Sequence, residues 1–230
     1  MILAALFSGG KDSTFSIYQA QLDGHQIKCL VTILPKSDDS HLLHYSNIEL
    51  SQLQSRAMGI PQLSVKANSY DTETEVSKLE EVLESAKTKF GIDGIVHGGI
   101  MSNFQKEQFE NIASRLGLQV IAPIWHKGTF DYLKRLIDQG FNFIITSVST
   151  DGLDESWLGR LVDSDDLNEL ARLSSKHGFN INFEGGEAET FVINCPLFKS
   201  SISIKKSKKI WDGYRGRFEI LEAELENNVR

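Results

Sequence analysis

The sequence predicts an α/β fold: a doubly wound, mostly parallel sheet followed by a small C-terminal α+β appendage. Three observations carry this. The chain starts with a continuous apolar run from Ile2 to Phe7, the pattern of a strand buried on both faces. Segments of strand and helical periodicity then alternate as far as about Thr150, which is how a parallel sheet flanked by helices reads. Beyond Thr150 the alternation stops, leaving one helix and several short β-like stretches.

Each element has its own signal. After the first strand and a glycine pair, Phe15, Ile17, Tyr18 and Leu22 recur at helical spacing within 13–22. Residues 27–34 read as a strand closed by Pro35, and 48–58 as a helix stopped by Gly59-Ile60-Pro61. A short strand at 63–65 leads to an amphipathic helix over 73–90, with Val76, Leu79, Val82, Leu83 and Ala86 on one side. Strand 94–97, helix 103–116 ending at Gly117, strand 118–122, helix 130–139 and strand 142–149 continue the series. Then 163–177 predicts a helix capped by Asp163 or Ser164 and stopped by Gly178. Strands at 190–193, 201–205 and 218–225 follow, with a turn near Asp212-Gly213.

Composition bounds the partners. The net charge of -7 argues against nucleic acid as the main partner, so direct nucleic-acid binding is not expected. Two isolated cysteines, Cys29 and Cys195, make neither a disulfide framework nor a zinc spacing, and are expected as buried thiols. The apolar N-terminus lacks a basic leader and no apolar run reaches membrane-spanning length, so the expectation is a cytoplasmic protein with no membrane partner.

Two segments carry chemistry. Ser8-Gly9-Gly10-Lys11-Asp12-Ser13 lies between the first strand and the first helix. Its glycines permit positive φ and close backbone approach, and the following N–H groups open a helix whose positive end favours anions. Ser8, Ser13 and Thr14 add hydroxyls and Lys11 a mobile cation, together a nest for a polyphosphate. The pattern is neither a Walker A loop nor G-x-G-x-x-G. The second segment, Glu184-Gly185-Gly186-Glu187-Ala188-Glu189-Thr190, sets three carboxylates in six residues, which is costly without a cation or polar substrate.

Ser8–Ser13 at the end of the first strand resembles the PP-loop ATP pyrophosphatases, and Glu184–Val192 followed by Pro196-Leu197-Phe198 resembles their diphthine–ammonia ligase branch, in its short archaeal-type form. Further stretches agree: His44–Ile48, Gly98-Gly99-Ile100 with Ser102, Phe104-Gln105-Lys106 and Glu110, Pro123-Ile124-Trp125, and Asp154–Gly159. The resemblance implies an adenine nucleotide alpha hydrolase-like (HUP, Rossmann-like) sheet, with an ATP-binding domain over 1–150 and a smaller substrate-binding region over 151–230. It implies a ligase that adenylates the carboxylate of diphthine on translation elongation factor 2, releases pyrophosphate, and lets ammonium-derived ammonia displace AMP. ATP and Mg2+ would be gripped by Ser8, Gly9, Gly10, Lys11, Asp12, Ser13 and Thr14, with Asp12 on the metal and Gly98, Gly99 and Ser102 beside the nucleotide. Gln105, Glu184, Gly185, Gly186, Glu187, Glu189 and Thr190 would bind substrate. Lys11, Asp12, Glu187 and Glu184 would be catalytic, Glu187 ahead of Glu184 as the acceptor of the ammonium proton.

Four positions depart from the branch pattern: Phe104 stands where tyrosine is expected, Gln108 for arginine, Phe183 for glycine and Asn194 for aspartate. Two other readings stay open on residues alone: adenylation of another acceptor, such as tRNA in a thiolation, and a regulatory module that binds ATP or AMP without turnover. The first calls for a cysteine able to carry sulfur. The second has no use for an E-G-G-E loop. The basic stretch between Lys199 and Arg217 reads as lysines guarding an edge strand, with a docking surface for an RNA-bound elongation factor as the other reading.

Overall fold

A computed structural model describes residues 1–34, 50–67, 72–125 and 129–227; His44–Ile48 lies outside the described residues. The chain forms two compact units, Met1–His126 and Lys127–Arg230.

The first unit contains β1 (Ile2–Leu6), α1 (Lys11–Leu22), β2 (Gln26–Leu34), α2 (Ser51–Met58), β3 (Gln62–Lys66), α3 (Thr72–Phe90), β4 (Gly94–Val96), α4 (Asn103–Leu116) and β5 (Gln119–Ile121). The strands pair in parallel in the order β3-β2-β1-β4-β5. The order runs outward in one direction from β1 to β3 and in the other from β4 to β5. With right-handed crossovers, that reversal sets α1 and α2 on one face and α3 and α4 on the other. Ala4, Cys29, Val31, Ile33 and Ile95 accordingly pack with Leu79, Leu83, Ala86, Phe109, Ile112 and Ala113 of α3 and α4. The loops after β1 and β4 are neighbours at the switch point, where open α/β sheets bind their ligands.

The second unit contains α5 (Thr129–Asp138), β6 (Asn142–Val148), α6 (Ser164–His177), β7 (Ala188–Asn194), β8 (Ser200–Trp211) and β9 (Gly216–Asn227). Its sheet is antiparallel, in the order β7-β6-β9-β8. Two sequence expectations are corrected here. The strand at 142–149 does not close the parallel sheet but lies inside the antiparallel one, so the division falls at 126/127 rather than at 150. Phe143, Ile144, Ile145 and Val148 are buried, and a strand covered on both sides reads alike in either kind of sheet. The last two strands are also longer than expected, because Lys205–Lys209 is exposed on both faces and shows no alternation.

Asp154–Gly159 braces this unit. Asp154 caps a 3-10 turn, Glu155–Trp157, by accepting from Ser156 N at 2.9 Å. Leu158 and Leu161 bridge to Ile145 and Ile144, flanking β6. Arg160 stacks on the buried Trp157 ring at 4.6 Å and pairs with Asp166, which closes the capping box of α6 with Asp163. The lysines of β8 do occupy the sheet's outer strand, as expected for edge protection. No helix among the described residues is long and apolar enough to cross a membrane.

Candidate functional site

The first candidate site is the loop between β1 and α1. Gly9 takes φ +83, a region L residues avoid, and turns the chain out of the sheet. Gly10 is extended and serves as the N-cap of α1 without any side-chain cap bond, so the helix begins at Lys11, two residues before the predicted start. The Ser8 and Ser13 hydroxyls lie 3.1 Å apart, Ser8 N donates to Ser13 Oγ at 3.3 Å, and Gly10 N to Ser8 Oγ at 3.4 Å. Both hydroxyls and these N–H groups therefore cluster together within the loop.

Two loop residues differ from expectation. Lys11 is not a mobile cation: it is 1% exposed, with Nζ held 2.8 Å from Asp12 Oδ2. Thr14 is fully buried and donates to the Gly10 carbonyl at 2.8 Å, a bond of the helix's first turn rather than one held out to a ligand. Asp12, whose side chain is about a quarter exposed, is the carboxylate at the loop surface.

The loop after β4 completes this edge. A Cβ on Gly98 would sit 2.5 Å from the backbone of Asp12 and Ser13, so only glycine lets β4 end against the start of α1. Gly98 thus approaches the loop itself. Ser102 caps α4 by accepting from Gln105 N at 3.4 Å, and Gln105 lies beside Gly99. His97 accepts a hydrogen bond from Gly99 N at 3.0 Å through Nδ1, while its Nε2 is buried beside Phe109 with no hydrogen-bond partner among the described residues. Burial, reinforced by the Lys106 cation, pushes the His97 pKa down to about 4, so the ring is neutral at physiological pH.

The second candidate site is the acidic loop. Glu187 turns both oxygens onto its own loop, accepting from Asn180 N at 3.0 Å and Gly185 N at 2.7 Å. Ser149 at the end of β6 fastens the same loop by donating its N–H to Glu187 O and its hydroxyl to Gly186 O. Phe183, one of the positions expected to differ from the branch pattern, is the one described non-glycine residue with positive φ, at +65. Its ring is buried and stacks on Phe179 at 6.4 Å. Glu184 is half-buried at the head of the loop. Glu189 faces Ser147, which faces Arg217 across β6 and β9, giving a Glu–Ser–Arg row on one sheet face; Thr190 pairs with Ile145. Nothing in the linear sequence announced that row.

Sequence reasoning also missed Thr32, Gln54 and Gln62, which hold the first loop from below. A signal existed. Ser51, Gln54, Ser55 and Met58 recur at i, i+3, i+4 and i+7 and all are buried, so α2 buries polar groups where an apolar stripe is the rule. Both thiols are buried and their pKa values are pushed up to about 12, which leaves no sulfur carrier and does not favour the thiolation reading.

The glycine loop between β1 and α1 thus lies at the switch point of a parallel sheet, the place where open α/β sheets bind their ligands. The sequence profile of the diphthamide synthase N-terminal domain matches residues 1–120, and that of the diphthamide synthase C-terminal domain matches 128–225. Proteins named diphthine–ammonia ligase from Homo sapiens and Bos taurus are each 34% identical over 91% of this chain and 85% of their own length. The one from Saccharomyces cerevisiae is 27% identical over 86% of this chain but only 34% of its own length. The chain belongs to the diphthine–ammonia ligase family.

Proposed function

We propose that the protein converts diphthine on translation elongation factor 2 to diphthamide, using ATP and ammonium. The observation that carries this reading is the Ser8–Ser13 nest, in a chain whose relatives at 34% identity are named for that ligation. A diphthine carboxylate oxygen attacks the α-phosphorus of ATP, and the bond to the bridging oxygen breaks to release pyrophosphate. Ammonia then attacks the acyl carbon, the bond to AMP breaks, and the amide remains. The loop N–H groups and the start of α1 hold the polyphosphate, with Lys11 offsetting charge on the departing pyrophosphate.

Magnesium fits this donor set modestly. Asp12 supplies one hard, partly exposed carboxylate, and this ion takes one or two carboxylates plus phosphate oxygens. Bound there, it would supply charge neutralisation for the polyphosphate. Ser102, Gln105 and the Gly98-Gly99 turn border the nucleotide in this reading. For the ammonium proton the candidates are Glu187 and then Glu184; Glu187 also accepts from two backbone N–H groups, which supports a part for it in keeping the loop in shape. Gly185, Gly186, Glu189 and Thr190 are the residues of the acidic loop that would bind the acceptor.

The test is AMP release from ATP and ammonium in the presence of the diphthine-bearing factor, with the factor weighed before and after. AMP formation with a loss of about one mass unit, acid to amide, supports the reading. AMP without that loss points to another acceptor, and ATP binding with no AMP points to a binding module.

A further inference from the structure

The loop after β1 does not set its own shape; two of its peptide planes are turned by side chains from below. Gln54 of α2, fully buried, donates from Nε2 to the Gly9 carbonyl at 2.8 Å. Thr32 of β2, also buried, donates from Oγ1 to the Phe7 carbonyl at 2.7 Å. Gln62 of β3 then donates from one amide nitrogen to Thr32 Oγ1 and Ser51 Oγ, each at 2.7 Å, so the start of α2 is tied to Thr32. The fit at Gly9 is close: a Cβ there would stand 2.3 Å from Gln54 Oε1, so the loop glycine and Gln54 presuppose each other.

The consequence follows from peptide geometry. The described peptides are all trans, and in a trans peptide the C=O and the next residue's N–H point in opposite directions. Holding the Phe7 carbonyl toward Thr32 aims Ser8 N–H away from it, and holding the Gly9 carbonyl toward Gln54 aims Gly10 N–H away likewise. Those are the two N–H groups that meet the Ser13 and Ser8 hydroxyls. Carbonyl oxygens repel a polyphosphate and N–H groups attract it, so an anion nest needs its carbonyls turned out.

We propose that Gln54 and Thr32 are positioning residues for the ATP phosphates, each fixing one loop carbonyl on the far side so that the neighbouring N–H faces the ligand. The inference rests on the reading of the loop as the ATP site. Its test uses Gln54→Met, which keeps length without a donor; Thr32→Val, which keeps shape without a donor; and Ile112→Val, a core truncation between α4 and the sheet that leaves the loop alone. ATP with magnesium is titrated calorimetrically into the full-length chain, and thermal midpoints and the KM for ammonium are measured alongside. Each donor loss should weaken ATP binding about tenfold, the worth of one hydrogen bond, and leave the ammonium KM unchanged. Ile112→Val should lower the midpoint with ATP affinity intact. Wild-type ATP affinity in Gln54→Met and Thr32→Val, with only their midpoints lowered, would overturn the proposal. If Gln54→Met does not fold, Thr32→Val decides by the same criterion. Failure of the wild-type chain to bind ATP would instead sink the reading of the loop itself.

Discussion

His97 makes the first unit's stability depend on pH in a direction the structure fixes. The imidazole is 2% exposed, and burial first, then the Lys106 cation, lowers its pKa from 6.5 to about 4. A base whose folded pKa is depressed contributes stability that is fully present above the unfolded value and lost as pH falls through the folded one. Between pH 7.5 and 5.0 the unfolded chain takes up a proton that the folded chain refuses, which costs about 2 kcal/mol, rising to about 3 kcal/mol below pH 4. The perturbation is His97→Asn, whose amide oxygen can still accept from Gly99 N but does not titrate. Urea unfolding of both proteins at pH 7.5 and 5.0 gives the double difference, in which every other titrating group cancels. The wild type should lose about 2 kcal/mol more than the variant over that interval. Equal losses, within about 0.5 kcal/mol, would refute a buried neutral ring at the end of β4.

Other predictions follow from single contacts. At position 183, alanine should be less stable than glycine by about 1 kcal/mol, reversing the helix order, because φ is +65 there; both should fall below wild type through loss of the buried ring, read by thermal unfolding of the second unit. Gly98→Ala should abolish ATP binding by calorimetry, since its Cβ would stand 2.5 Å from backbone that has no room to yield. Alkylation at pH 8 should label neither Cys29 nor Cys195 in the folded protein and both after urea, read by mass, with activity unaffected by the native treatment.

The parallel sheet was legible because each strand is a short apolar run bounded by glycine, proline or a capping residue, and those signals are local. The assignment of 142–149 failed because burial is local information and pairing is not. Phe143, Ile144 and Ile145 say only that the strand is covered, and its partners, Val192 and Phe191 among them, lie nearly fifty residues on. The Ser8–Ser13 loop was legible for the same reason that the sheet was: glycines, hydroxyls and helix start are contiguous. Gln54 was not, because its significance is one bond to a carbonyl 45 positions away. Lys11 shows the limit from another side, since residue type implied a mobile cation and only packing shows it buried against Asp12.

The acidic loop shows how three carboxylates can stand so close in sequence. Repulsion among Glu184, Glu187 and Glu189 would be severe if they shared one environment, and the fold gives each a different one. Glu187 is met by two backbone N–H dipoles, a favourable setting for a negative charge that also defines the turn. Glu189 leaves the loop on β7 and joins a row that ends in Arg217. Phe183 pays backbone strain of about 1 kcal/mol to make the turn that leads into Glu187, and its ring, packed on Phe179, offsets that cost by anchoring the loop's base. The strain and the anchor are one residue's two effects, so replacing Phe183 by the glycine of the branch pattern removes both. An enzyme with that substitution should keep the Glu187 contacts and lose the support beneath them, and its KM for ammonium should rise while its affinity for ATP, proposed to depend on the loop after β1, stays as it was.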